Sequence, residues 1–303
     1  MKKAILYGMI AVASLAAPAL TSCLDSDTPD APSTFTATLN PDLNFVGVKD
    51  IHTGDWKSYP GGTVRYMYDF ETSTMQFGVT AVAIAPGQNL TFSVPSIPLT
   101  LDKDGAWVAS HQGPFTVSGG GQTHTLTDLK TYLRLPQNAS SILMTEFTID
   151  DEYLVRVFPN INYFGGTTRV TLGGGTPYTT DFTYYDVFLT QKTMTAEIFA
   201  FQAKFIETMP AVNIVLPGVP FELTDEGLKL KAESLTPCTV TFNQTTGAED
   251  KDHRVPRPDL KVVDLEGKMV VAKSLEFSYS REDGRGTTAF SGTPLVKVNP
   301  VTN

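Results

Sequence analysis

The chain repeats itself at a spacing of about 120 residues, and this repetition limits the folds open to it more than any other feature. Residues 94–101 (VPSIPLTL) match residues 216–223 (LPGVPFEL). Four further pairs of blocks keep the same order along the chain: 41–45 with 159–163, 74–75 with 193–194, 114–117 with 237–240, and 128–130 with 259–261. Their spacing drifts slowly in one direction, as loop insertions would produce. We therefore expect an internal duplication into domains at residues 33–150 and 151–303.

Each predicted domain has the pattern of an all-β fold. Residues 63–70 and 180–189 are rich in β-branched and aromatic side chains, and residues 75–82 alternate with period two. Glycine and proline turns punctuate the chain roughly every eight to twelve residues, which is typical of sandwiches and barrels. The expected fold is two tandem homologous domains, each a β-sandwich or a small β-barrel of lipocalin size.

Three segments carry more specific expectations. Pro95, Pro98, Pro217 and Pro220 interrupt apolar runs, so these runs should be edges, bulges or crossings between sheets. Residues 193–206 could form a helix, but the matching residues of the first copy favour a strand. Residues 260–271 predict a hairpin, with its turn at Glu266 and Gly267.

The N-terminus has the pattern of an export signal. Two lysines precede an apolar run from about Ala4 to Leu20, and Thr21, Ser22 and Cys23 follow. The short apolar run and small residues before the cysteine are typical of a cleavable signal peptide at residues 1–22. A cysteine directly after Leu-Thr-Ser is the residue that the lipoprotein pathway acylates. We therefore expect Cys23 to be the lipid-bearing first residue of the mature chain.

The residues after the signal have little to bury. Residues 23–32 are acidic and contain two prolines, which predicts a disordered tether. The signal, the Leu20-Thr21-Ser22-Cys23 motif, this tract and the β-rich duplicate layout resemble two-domain surface lipoproteins of Bacteroidota. The resemblance implies that acylated Cys23 attaches the protein to the outer membrane, with display on the cell surface. Periplasmic display stays open, and the resemblance assigns no other residue.

The net charge limits the possible binding partners of the protein, and the cysteine content limits its disulfides. The net charge of −9 argues against nucleic acid, because binding to phosphates requires basic patches. The chain has two cysteines, so acylation of Cys23 leaves Cys238 without an intrachain disulfide partner. Stability must then come from core burial.

Catalytic chemistry is hard to find in the sequence. The four histidines show no zinc-site spacing, and neither a nucleophile elbow nor a phosphate-binding loop is present. Acidic clusters at residues 102–105, 150–152 and 249–252 are more typical of turns than of calcium loops. We therefore expect a protein that is not an enzyme and that has no metal site and no cofactor.

Aromatic residues are the remaining candidates for ligand binding. Trp56 and Tyr59 lie in a polar loop at residues 53–60, and Trp107 is the second tryptophan of the chain. Exposed rings of this kind can stack on sugar rings. Two tryptophans among 18 Phe and 11 Tyr are few for a dedicated glycan-binding protein. A loop that plugs one end of a barrel is therefore an equal alternative.

Three classes of function follow from these features. The first is a binding module for a glycan or for a small apolar ligand. The second is a structural or adhesive subunit, or the anchor, of a surface protein complex. The third is a glycan hydrolase whose paired carboxylates are distant in sequence.

Overall fold

The structure is a computed structural model that describes residues 33–119, 121–135, 142–173, 175–204, 208, 210–242 and 249–295. In these residues the chain forms 22 β-strands, two short 3-10 helices and no α-helix. Over the same residues, no helix combines the length and the apolar character needed to cross a membrane. The predicted all-β fold class is confirmed.

The strands form two sheets, which define two lobes. The first lobe contains β1 (Thr34–Leu39), β2 (Asn44–Asp50), β3 (Trp56–Ser58), β4 (Thr63–Asp69), β5 (Thr74–Ala85), β6 (Gln88–Leu101), β7 (Trp107–His111), β8 (Phe115–Gly119), β9 (Gln122–Arg134), β10 (Ile142–Ile149) and β11 (Tyr153–Pro159). The second lobe contains β12 (Ile161–Leu172), β13 (Tyr178–Thr180), β14 (Tyr184–Thr190), β15 (Thr195–Ala203), β16 (Val212–Thr224), β17 (Gly227–Leu235), β18 (Cys238–Thr239), β19 (Val255–Pro256), β20 (Val262–Val270), β21 (Ser274–Arg281) and β22 (Gly286–Pro294). The 3-10 helices span Lys251–His253 and Pro258–Leu260.

The second sheet closes into a barrel. Its strands follow one another in the order β15–β14–β12–β22–β21–β20–β17–β16, and β16 pairs again with β15. β13 and β18 extend from this ring, on β12 and β16 respectively. Eight strands enclose an interior that side chains can just fill or that can hold one small ligand.

The first sheet follows the same order, except that one strand is divided. β12 pairs with β14 through its first half and with β22 through its second half. In the first lobe, the corresponding pairings are made by β1 with β4 and by β2 with β11. The chain turns between β1 and β2, and the buried Asn44 side chain donates to the carbonyls of Leu39 and Gly62 at 3.0 and 3.1 Å. The first lobe thus has two strands, β1 and β2, at the position that the single strand β12 occupies in the second lobe.

Backbone irregularities recur at the same topological positions in both lobes. Three pairs of non-glycine residues have positive φ. Ser73 and Met194 lie just before β5 and β15, and Ala81 and Gln202 lie inside these two strands. Asp128 and Asp264 lie inside β9 and β20. Register shifts accompany the positions inside strands. Such bulges bend a strand and increase its twist, which helps a sheet to curve.

The proline-containing runs are strands with bulges, which is one of the three predicted alternatives. The pairing of β5 with β6 shifts register at Pro95, and the pairing of β15 with β16 shifts at Pro217 and Gly218. Gly218 has a φ of 65°, a left-handed conformation that glycine adopts without strain. Because proline has no N–H to donate, a bulge is a suitable place for it.

The predicted turn at Glu266 and Gly267 is wrong. Residues 262–270 form the single strand β20, and the chain turns afterwards, where Ala272 has a φ of 59°. Gly267 lies inside the strand because β21 passes very close: a Cβ built there would lie 2.6 Å from the Cβ of Phe277. By contrast, β15 (Thr195–Ala203) confirms the predicted strand for the described part of this segment.

The first sheet extends past residue 150, the predicted end of the first domain. β11 pairs with β10 on one side and with β2 on the other, so residues up to Pro159 belong to the first sheet. The crossover to the second sheet occurs at Asn160, whose side-chain amide donates to the carbonyl of Asp42 at 2.7 Å.

Packed aromatic rings occupy much of both interiors. In the first lobe, the fully buried Phe147 ring lies 5.7 Å from that of Phe77 and 5.8 Å from that of Phe92, between centroids. In the second lobe, the Tyr185 ring lies 5.1 Å from Phe277 and 4.2 Å from Phe290. Interiors packed in this way resist changes of volume.

The two lobes are in direct contact. Phe45 of β2 and Phe158 of β11 face away from the first interior, are fully buried and stack at 5.1 Å. Both join the apolar core of the second lobe, where the Phe45 ring lies 5.7 Å from that of Phe221. A Cβ added to Gly47 would lie 3.3 Å from the Leu223 side chain, so the second lobe also lies close to β2 at this point.

Candidate functional site

Trp56 lies in the contact between the lobes. Its Nε1 donates to Oδ1 of Asp225 at 2.9 Å, and the guanidinium carbon of Arg156 lies 4.8 Å from the ring centroid. Lys49 Nζ lies 2.7 Å from the same Asp225 oxygen. These hydrogen bonds from Lys49 and Trp56 hold the pKa of the Asp225 carboxyl below its usual value. The Trp56 side chain thus joins the two lobes, and ligand binding by it stays a prediction.

Tyr59 and Trp107 pack against the core of the first lobe. Both side chains are partly buried, and the Trp107 ring lies 4.9 Å from that of Phe70. No ring contact between described residues connects Trp56, Tyr59 and Trp107. A shared stacking surface made of these three residues therefore has no support in the geometry, although ligand binding by any one of them stays a prediction.

Cys23 lies outside the described residues, as do the signal at residues 1–22 and the whole tether at residues 23–32. Its acylation therefore stays a prediction. The first strand begins at Thr34, directly after the predicted tether.

A cleft opens at one end of the second barrel. Its empty volume is about 570 Å³, which includes space open to solvent. Most of the wall is apolar and comes from strands of the barrel, including Val170, Ile198, Ala200, Ile214, Leu216 and Val262. The polar residues of the wall are Thr168, Thr183, Tyr185, Lys204, Tyr279, Arg281 and Thr288.

Hydroxyl groups form one part of this wall. The hydroxyls of Tyr185 and Thr168 lie 3.2 Å apart, and Tyr279 hydrogen-bonds to Thr288. Burial raises the pKa of Tyr185 and of Tyr279 above the usual value. Both phenols therefore stay protonated at neutral pH and offer neutral hydroxyl groups to a ligand.

Two cationic side chains form another part of the wall. Arg281 Nη2 donates to the Asp283 carboxylate at 2.7 Å and to the Asp259 carbonyl at 3.2 Å. Its Nε is buried and has no hydrogen-bond partner among the described residues. Lys204 takes part in none of the ion pairs formed within the described ranges. Arg281 is therefore ion-paired with Asp283, and Lys204 is the cation of the wall that has no ion-pair partner among the described residues.

An exposed aromatic side chain lies beside the cleft. Phe182 is 76% exposed, in the loop between β13 and β14, and it directly precedes Thr183 of the wall. The sequence signal for this region was the aromatic-rich run at residues 178–185 (YTTDFTYY), which contains Phe182 and the lining residue Tyr185. The sequence offered no signal for Lys204 or Arg281, because only closure of the barrel brings their strands together.

The segment between β17 and β20 fixes one side of the cleft. Pro237 and Leu260, near its two ends, line the cleft. Between them, Arg254 donates two hydrogen bonds to Glu197 and two to Glu249, at distances of 2.6 to 2.9 Å. The hydrogen bonds from Arg254 keep the pKa of Glu197 below its usual value. Paired charge-assisted bonds of this kind hold geometry well, so the segment is fastened to β15.

Asp186 lies on β14 beside Tyr185, and its side chain points to the outer side of the barrel. The residue is 1% exposed, and its Oδ1 has no hydrogen-bond partner within the described part of the chain. Burial raises the pKa of this carboxyl well above its usual value of 3.8. The folded chain therefore keeps a proton on Asp186 at pH values where the unfolded chain has lost it.

We expect Asp186→Asn to remove a pH-dependent loss of stability. The folded-state pKa is raised, so the stabilising contribution is complete below pH 3.8 and is lost as pH rises towards the folded-state pKa. The variant should match the wild type near pH 4 and exceed it by about 1–3 kcal/mol at high pH. Urea unfolding at several pH values measures this difference. A difference that does not change with pH would contradict the assignment.

His124 and Asp102 support the fold. His124 Nδ1 lies 2.7 Å from Asp150 Oδ2, and the His124 side chain is buried. Asp102 accepts hydrogen bonds from the N–H groups of Asp104 and Ala106 and thus forms a hairpin turn, as predicted. No group of three potential metal ligands occurs among the described residues.

Comparison with known proteins gives distant structural likenesses only. No protein-family model and no curated protein matches the chain. The chain is similar to isotype 1 transferrin binding protein B of serogroup B Neisseria meningitidis, at 10% identity and a TM-score of 0.25, over 87% of this chain and 77% of that chain. It is also similar to a double mutant of transferrin binding protein B from Haemophilus parasuis Hp5, at 8% identity and a TM-score of 0.23, over 88% and 77% of the two chains. At these scores the likeness carries no inference about a ligand.

Proposed function

We propose that this chain is an exported, lipid-anchored, non-enzymatic protein that binds a small ligand, or one end of a larger one, at the open end of its second barrel. The observation that carries the proposal is the cleft itself. There, apolar walls meet protonated hydroxyls, the buried Nε of Arg281 has no hydrogen-bond partner among the described residues, and Lys204 forms no ion pair with them. Concave apolar sites with a few converging polar groups are the usual places for small-molecule binding.

The composition of the cleft supports binding rather than hydrolysis. Its described lining residues include no carboxylate, histidine or cysteine. A glycan hydrolase of the usual kind needs two carboxyl groups that face each other across the scissile bond. We therefore place the hydrolase hypothesis behind binding.

Anchoring through Cys23 is the second part of the proposal. It is supported by the signal at residues 1–22, the motif before Cys23 and the acidic tether at residues 23–32. It places the protein in the outer membrane, on the cell surface. The matching domain scheme is a first domain at 33–150, lengthened to include β11, followed by a second domain, both derived from one duplicated ancestor.

We expect Cys23→Ala to release the protein from the membrane. A thioether-linked diacylglyceryl group buries many methylenes, each contributing about 0.8 kcal/mol, whereas the alanine variant has no acyl chain. Membrane fractionation with metabolic labelling by a fatty acid measures both attachment and acylation. Cys238→Ala is the matched control and should keep the label. Equal labelling of the Cys23 variant and the wild type would contradict the anchor.

Binding is tested on the chain lacking residues 1–23, which retains every described strand. A glycan array tests for glycan ligands. Native mass spectrometry of protein purified from its own cells tests for a bound small apolar ligand. A bound small molecule or glycan supports the proposal. Stoichiometric protein neighbours, found without any ligand, would instead support the structural subunit of a surface complex.

A further inference from the structure

We infer that the cleft of the second barrel recognises a carboxylate group carried on an apolar body. This inference deepens the proposed function and rests on it. It names the chemical class of the ligand from the groups that line the cleft.

The first argument for this inference is the charge of the cleft. Lys204 and Arg281 are the charged residues of the described lining, and both are cationic. The Asp283 carboxylate and the Asp259 carbonyl occupy Nη2 of Arg281, while its buried Nε has no partner among the described residues. Lys204 has no ion-pair partner in the described part of the chain. Arg281 is thus already ion-paired, and a ligand carboxylate would pair with the Lys204 ammonium instead.

The second argument is the size of the cleft. The empty volume of the cleft is about 570 Å³ and includes space open to solvent. A ligand can therefore lie partly in the cleft and partly towards its mouth.

The third argument is the apolar character of the cleft wall. Most lining side chains are aliphatic, and Phe182 presents an exposed ring beside Thr183. Apolar surface of this kind gains free energy by covering an apolar chain rather than a hydroxylated one. The hydroxyls of Tyr185 and Thr168 can bond to the second oxygen of the acid, because both are uncharged and can donate.

The experiment is calorimetric titration of the chain lacking residues 1–23 with hexanoate, 1-hexanol and glucuronate. Hexanoate should bind at least about tenfold more tightly than either other probe, as one charge-assisted interaction is worth about that factor. Equal binding of hexanoate and 1-hexanol would overturn acid recognition while leaving the proposed binding function intact. Tighter binding of glucuronate would overturn the apolar body and favour an acidic glycan. Binding of no probe, together with an empty glycan array, would count against both proposals.

Variants locate the interaction. Lys204→Met keeps the length of the side chain and removes its charge, and it should weaken hexanoate binding about tenfold without changing 1-hexanol binding. Lys229→Met is the matched control, because Lys229 is an exposed lysine on the same barrel. Unchanged hexanoate affinity in the Lys204 variant would overturn the inference.

Discussion

Replacing Phe147 with alanine is expected to lower the free energy of unfolding by about 3–5 kcal/mol. The Phe147 side chain is fully buried, and its ring lies between those of Phe77 and Phe92 inside the first lobe. These neighbours are fixed on curved, hydrogen-bonded strands and cannot move far to fill the space left by a ring. A cavity should remain, and its cost adds to the lost burial. Urea denaturation followed by circular dichroism measures the change.

Phe182→Ala is the matched control for this substitution. Phe182 is 76% exposed, so its removal should change stability by less than about 0.5 kcal/mol. The two variants lose the same atoms and differ in burial. A loss below about 1 kcal/mol for Phe147→Ala would mean that the first interior is not packed as described.

Most strands could be predicted from sequence because their side chains alternate. In β4, the inward Val64, Tyr66 and Tyr68 are buried, while Arg65 and Met67 between them are exposed. Period-two alternation of this kind depends on the strand alone and needs no knowledge of its partners. The same reasoning gave the all-β fold class and the choice of strand for β15.

Predictions failed where a neighbouring strand, rather than local sequence, decides the conformation. Gly267 was placed in a turn because glycine favours turns, yet it lies in β20, where β21 leaves no room for a Cβ. The turn lies instead at Ala272, a residue type with little turn preference. Residues 153–159 were assigned to the second domain, although pairing with β2 places them in the first sheet.

The candidate site could not be predicted from sequence for the same reason. Lys204 follows β15 and Arg281 ends β21, and only ring closure places both at one end of the barrel. Trp56 was singled out because it is an aromatic residue in a polar loop. In the structure Trp56 instead begins β3, from where its side chain reaches Asp225 of the other lobe, and sequence alone does not distinguish these two uses.

Replacing Arg156 with alanine is expected to uncouple the lobes and to cost about 2–5 kcal/mol. Its Nε donates to Glu146 at 2.6 Å, and its Nη1 and Nη2 donate to the carbonyls of Thr224 and Asp225 at 3.1 and 2.9 Å. The side chain is 8% exposed. Alanine would leave a partly buried carboxylate and two carbonyls without these donors, and it would remove the cation above the Trp56 ring.

Differential scanning calorimetry separates loss of coupling from simple destabilisation. The wild type should unfold in one transition, because the apolar contact of Phe45 and Phe158 and the hydrogen bonds of Arg156 together couple the lobes. The Arg156 variant should show two transitions if the apolar contact alone is too weak to couple the lobes, since each sheet retains its own strands. Arg285→Ala is the control: its side chain is 81% exposed, so the variant should unfold like the wild type. A single transition at the wild-type temperature for Arg156→Ala would mean that the apolar contact alone joins the lobes.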